Sequence, residues 1–265
     1  MLNLKENKHS MNCMSNKSNL EYFGFIGKIL KIDLTEKKVS VEKINQNYSH
    51  NFLGGAGYAC RYLFELIDKE IDPLSPRNKI MIMNGPLSGT AAPSSGRFVI
   101  CSKSPYTNLW SESNCGGFFG PELKKAGYDG IIISGKSERP VYIKIFKDNV
   151  EICDASHIWS KGIIESNKIL KKVFNDSNAR VLCIGQAGKN LVKYAIVAAE
   201  GRAAGRTGLG AVFGSKKLKG IAVMGNNLKP KIARPSEFKE VVKKIVKYIA
   251  NSNLSSFIFC VKFMV

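Results

Sequence analysis

Arg202 and Arg206 stand four apart in GRAAGRTGLGAVFGSKKLKG, residues 201–220, a stretch with six glycines, three lysines and no acid. Glycines let backbone N–H groups approach an anion, and guanidinium forks grip phosphate through paired hydrogen bonds. The stretch therefore suits a phosphate-bearing ligand. Two common phosphate templates fail against it. A P-loop requires GxxxxGK followed by Ser or Thr, whereas Gly210 and Gly214 are too close and Ser215 precedes Lys216. A dinucleotide fingerprint requires GxGxxG with an acid about 20 residues later. Gly208 and Gly210 begin one, but the next glycine is Gly214, and no Asp or Glu occurs between Glu200 and Glu237.

Two other small-residue turns carry matching chemistry. Arg97 lies in SSGRFVI, and SESNCGGFFG offers Asn114 with the bare backbone of Gly116 and Gly117. An asparagine amide both donates and accepts, which suits a flat heterocycle. Each such turn alone is more often only a turn, but three of them, each with Arg or Asn, strengthen the anion-binding reading. Acid–base candidates are poor by comparison. His9 and His50 lie in polar sequence, and His157 in DASHIW reads as a structural hydrogen-bonding residue. Cys115 reads either as a small residue in a tight turn or as a reactive thiol. No Ser/His/Asp or Cys/His signature and no paired acids stand out.

The net charge of +19 on 265 residues raises nucleic acid as a partner. The lysines are spread along the chain, however, and no helix-turn-helix, zinc-finger or RRM pattern accompanies them. A lysine-rich solvated surface is the better reading. Seven cysteines occur at 13, 60, 101, 115, 153, 183 and 260, none in a CxxC pair, so metal-ligand spacing is missing and reduced thiols are expected. The start, MLNLKENKHSMNCMSNKSN, lacks an apolar core, and no run approaches the roughly 20 apolar residues of a membrane span. These features predict a soluble cytoplasmic protein.

The elements that must hold the turns are mostly strands. Residues 25–44 and 141–155 each alternate apolar and polar residues around a polar turn, with Lys147, Asp148 and Asn149 at the second turn, predicting two hairpins and an internal duplication. NKIMIMN, GRFVICSK, YDGIIIS, RVLCIG and KGIAVMG read as buried strands ending at Gly, Pro or Ser. GYACRYLFELIDKE is expected as a helix with Cys60, Leu63, Phe64 and Ile67 on its inner face, and 163–175 as another. A last helix follows Pro235, capped by Ser236, with Phe238, Val241, Val242, Ile245 and Ile249 on one face.

The blocks FLGGAGYACRYL, DPLSPRNKI, NGPLSGTAAPSSGRF, SNCGGFFGPELKKAGYDGIIISGK, DASHIW and GRAAGRTGLGAVFGSKKLKGIAV together resemble the N-terminal domain of the tungsten-containing aldehyde ferredoxin oxidoreductases, from about Phe23 to Gly225. The resemblance implies a β-rich base for a tungsten (or molybdenum) bis-pterin. It assigns cofactor contacts to Arg97, to Asn114, Gly116 and Gly117, and to Arg202, Ala203, Gly205 and Arg206. It further implies oxidation of an aldehyde to a carboxylate, with electrons leaving through a 4Fe–4S cluster to ferredoxin, and a homodimer for the full-length enzyme. The chain departs from the family pattern at Ala56, where an arginine is usual, and at Thr207, where a glycine is usual.

The expected fold class is α+β: a β-rich mixed-sheet cofactor base with an internal duplication and a few short helices. Residues 1–21 are expected as a disordered leader, 22–226 as the cofactor-binding domain, and 227–265 as a linker and the start of a truncated helical domain. The apolar end FIFCVKFMV, without cap or polar tail, reads as a chain interrupted early. No catalytic or metal-ligating residue is expected in this chain, since CxxCxxxC is missing. A free-standing metallopterin-binding module without catalysis of its own is the alternative.

Overall fold

A computed structural model describes residues 23–176 and 178–251. The expectations for 1–21 and for the apolar tail, including His9, Cys13 and Cys260, lie outside the described residues. Twelve strands among them form two six-stranded sheets. The first holds β1 (Lys28–Asp33), β2 (Lys38–Lys43), β3 (Ile80–Asn84), β4 (Phe98–Lys103), β5 (Trp110–Cys115) and β6 (Gly130–Ser134), in the order β2-β1-β6-β3-β4-β5. The second holds β7 (Val141–Phe146), β8 (Asn149–Asp154), β9 (Arg180–Cys183), β10 (Val197–Ala199), β11 (Arg202–Ala204) and β12 (Leu218–Met224), in the order β8-β7-β12-β9-β10-β11.

Adding six to each strand number of the first sheet reproduces the second. The pairing senses agree as well: β1–β6 and β7–β12 are parallel, and every other neighbour pair is antiparallel. The duplication expected from the two hairpins is thus a property of the whole fold. It is also visible in sequence without a gap: Gly120, Gly130 and Gly135 of the first half match Gly210, Gly220 and Gly225 of the second.

Most central strands are buried on both faces, and their side chains divide by parity. Leu30, Ile32, Ile80, Ile82, Phe98, Ile100, Ile131 and Ile133 meet Ile143, Ile145, Leu182, Val197, Ile221 and Val223 between the sheets. Two short helices, α3 (Phe119–Lys125) and α6 (Leu209–Ser215), add Phe119, Leu123, Val212 and Phe213 to this layer. On the outer face of the first sheet, Ile29, Met81, Met83, Val99 and Ile132 pack under α1 (Gln46–Phe52) and α2 (Ala56–Leu66). On the outer face of the second, Tyr142, Val181 and Ala222 pack under α4 (Ile163–Lys172). The layers run helix, sheet, sheet, helix.

Several local expectations are corrected. The inner face of α2 is Tyr58, Ala59, Tyr62 and Leu63, while Phe64 is 81% exposed and Cys60 is exposed. Two tyrosines four apart bury more area than Cys60 and Phe64 and set the helix rotation. The helix also stops at Leu66, because Ile67 is already extended. Ser236 lies inside α7 (Pro235–Asn251) and does not cap it; Pro235 takes the first helical position, where its missing N–H costs nothing. None of α7 is buried.

Among the described residues, three lysines are wholly buried. Lys216, just after α6, donates to the carbonyls of Pro76 (3.0 Å) and Gly135 (2.9 Å) and so staples the second half to loops of the first. Burial, helped by nearby Lys79 and opposed by Asp33, pushes its pKa down to about 7. A neutral amine still has two N–H donors for the two carbonyls. The unfolded chain keeps the proton until about pH 10.4, so it binds more protons than the folded one as pH rises past 7, and stability rises with pH there. Between pH 6 and 8 this contribution is expected to be about 1 kcal/mol. Lys216→Met is expected to lower stability overall and to flatten this rise, measured by urea midpoints across that range.

Candidate functional site

The edge strands β5 and β11 face each other where the two halves meet. They run antiparallel: the N–H of Arg206 donates to Ser113 Oγ (3.3 Å), and the Thr207 and Ser111 hydroxyls are bonded. At the far end, a Cβ built on Gly116 would lie 3.4 Å from Cδ and 3.6 Å from Nη1 of Arg202. The Arg202 side chain therefore lies along the Gly116–Gly117 turn. Arg97, the residue just before β4, adjoins the same turn, since Phe98 pairs with Cys115 and the Arg97 charge acts on the Cys115 thiol. Gly117 sits at φ +102, and a Cβ on Gly96 would fall 2.6 Å from the Gly117 carbonyl. Side chains at these two positions would displace the turn.

Of the residues singled out from sequence, Arg97, Gly116, Gly117 and Arg202 are brought together here. Arg97, Asn114, Arg202, Ala203, Gly205 and Arg206 are exposed, and Gly116 and Gly117 half-buried. Asn114 lies on β5 rather than in a turn, and its amide donates to Glu112 Oε1 (2.9 Å). The expected RAAGR loop is in part a strand: Arg202–Ala204 pairs with Val197–Ala199, because Glu200 and Gly201 make a two-residue hairpin turn at φ +53 and +79. Thr207 takes φ +64 where a glycine would sit without steric cost, and Ser104 Oγ anchors its carbonyl (2.7 Å). Ala56 opens α2, and the adjoining Gly55 N–H donates to Asn84 O (3.0 Å).

Cys115 is buried beneath the two arginines. Burial pushes its thiol up to about 11, although Arg202 and Arg97 pull it down. It stays a thiol at neutral pH, which favours the small packed residue over the reactive nucleophile. His157 is exposed, with Nδ1 4.0 Å from Asp154 Oδ2, far in sequence from the arginine cluster.

Sequence reasoning missed the support under the turn. Glu200 Oε2 accepts from the Phe118 N–H (3.4 Å), while Oε1 lies 3.4 Å from Arg180 Nη1 and 3.6 Å from Lys171 Nζ. The Arg180 guanidinium lies over the Phe118 ring, 5.1 Å from its centroid. The one available signal was that Glu200 is the acid adjoining the basic stretch. Arg97 and Arg202, both exposed and from opposite halves, adjoin a turn without side chains, a chemistry that suits an anion.

The model of the aldehyde ferredoxin oxidoreductase N-terminal domain matches residues 29–225. The chain belongs to this family. The tungsten-containing aldehyde ferredoxin oxidoreductase of Pyrococcus abyssi is 43% identical over 226 residues, 85% of this chain and 37% of that protein. The enzyme of the same description from Thermococcus kodakarensis is 44% identical over 230 residues, 86% of this chain and 38% of that one. The WOR-like subunit of the aliphatic sulfonate oxidoreductase of Pyrococcus furiosus is 36% identical over 241 residues. Among solved structures, the active-site complex BamBC of benzoyl coenzyme A reductase, with 1,5-dienoyl-CoA, aligns with a TM-score of 0.83 and 39% identity. The alignment covers 86% of this chain and 35% of that one. The chain thus spans less than two fifths of the length of these relatives. Among the described residues, no helix is long and apolar enough to cross a membrane.

Proposed function

We propose that this chain forms the base of a tungsten or molybdenum bis-pterin site in an aldehyde:ferredoxin oxidoreductase. The observation that carries the reading is the convergence of Arg97 and Arg202, from opposite halves, on the Gly116–Gly117 turn. A pterin with its phosphate needs cations for the phosphate and amide partners for the flat ring. Arg97, Arg202 and Arg206 supply the first; Asn114 and the backbone of Gly116, Gly117, Ala203 and Gly205 supply the second. The donor set fits the group, and the bare glycines leave room for it.

When bound, such a group supplies a two-electron redox centre that takes an aldehyde and water to a carboxylate. The residues of this chain bind and orient it; none touches the reacting atoms. On this reading the electrons pass to ferredoxin through a 4Fe–4S cluster held outside these 265 residues, which carry no CxxCxxxC.

The test is to produce the chain in a host that makes the pterin, with tungstate added. Pterin is read by fluorescence after oxidative release, and tungsten by mass spectrometry. Co-purifying pterin near one or two equivalents is the expected result, with no aldehyde-dependent viologen reduction. Absence of pterin from a folded preparation would overturn the reading.

A further inference from the structure

We propose that Glu200 is the positioning residue of this site, fixing the Gly116–Gly117 turn of one half against the arginines of the other. The proposal rests on the anion-binding reading of the Arg97–Arg202 surface. Glu200 sits in the hairpin turn that leads into Arg202, at φ +53, a conformation its side chain does not favour. Its carboxylate points across the boundary between the halves. One oxygen accepts from the Phe118 N–H (3.4 Å) and lies 3.7 Å from the Cβ position of Gly117; the other faces Arg180 (3.4 Å) and Lys171 (3.6 Å). The Glu200 side chain is only 12% exposed.

Two consequences follow from this placement. The turn has no side chain of its own at Gly116 or Gly117, so its position depends on what holds the next amide, and Glu200 is the acceptor there. Arg180 is held twice, by the carboxylate and by the Phe118 ring, which closes a loop of contacts through both halves. The negative charge of Glu200 meets the cations of Arg180 and Lys171, which hold the carboxylate in place beneath the turn. Rigid placement of donors before a ligand arrives lowers the cost of binding it.

Two measurements on the 265-residue chain test this: titration with inorganic pyrophosphate, and hydrogen exchange at the amides of 117 and 118. Glu200→Ala is expected to weaken pyrophosphate binding about tenfold, with Arg97 and Arg202 intact, and to speed exchange at these amides at least tenfold. Glu200→Gln keeps an acceptor for the Phe118 N–H and is expected to restore slow exchange and most of the affinity. Far-UV circular dichroism should be the same for all three proteins. Unchanged exchange in Glu200→Ala, or tighter pyrophosphate binding, would overturn the proposal. If the parent chain does not bind pyrophosphate, the anion-binding reading fails, and the exchange comparison still decides whether Glu200 holds the turn.

Discussion

Asp129→Ala is expected to destabilise the chain by about 3–5 kcal/mol. Asp129 is fully buried just before β6, and its carboxylate accepts from the N–H groups of Ile26, Gly27 and Lys28, at 2.7 Å for Gly27. Lys124 lies 3.6 Å away, equally buried, and donates to the carbonyls of Gly24 (2.6 Å) and Gly85 (2.8 Å). Burial pushes the Lys124 pKa down to about 8, with Asp129 opposing the shift. Alanine would strand a buried ammonium and leave three amides without an acceptor. For a domain of this size the loss corresponds to about 10 °C in Tm. A double variant with Lys124→Met removes the stranded charge and should recover about 1–3 kcal/mol of the loss. Urea midpoints of the four proteins give both numbers. A single-variant shift under about half a kcal/mol would show that the pair does not hold the start of β1.

The second large effect is functional. Arg202→Ala should lower pterin content about 10- to 100-fold, the loss of charge-assisted bonds worth roughly 1.5–3 kcal/mol. Arg97→Ala should act similarly, and the double variant by less than the product, because both guanidiniums address one turn. Both side chains are exposed, so Tm should move little, within about 0.5 kcal/mol of stability. Arg202→Lys should recover only part of the binding, since an ammonium cannot form the paired fork. Pterin content unchanged in the double variant, in a folded protein, would exclude these arginines as the contacts.

Much of the fold was legible before any coordinates. Strands such as IMIMN and GIIIS have uninterrupted apolar runs because both faces are buried, and that composition survives without tertiary context. The hairpins at 25–44 and 141–155 announced a repeat that the strand order then completed. What misled was local. Phe64 and Cys60 look like core residues on a helical wheel, yet the tyrosines beside them own the inner face. Arg202–Ala204 looks like a loop because Gly201 and Gly205 flank it, yet β10 is beside it to pair with.

The amino-acid sequence alone supplied the residue types proposed for the site: three arginines, an asparagine, an alanine and three glycines, in small-residue segments whose spacing excludes both common phosphate templates. It also determined the family, through six blocks in order. Only the tertiary structure decided that Arg97 and Arg202, over a hundred residues apart, meet at Gly116. That meeting depends on two sheets of identical topology placing their last edge strands side by side, a long-range pairing that no local pattern encodes. The same packing brought Glu200 under the Gly116–Gly117 turn. In the sequence it was only the last acid before a long basic stretch.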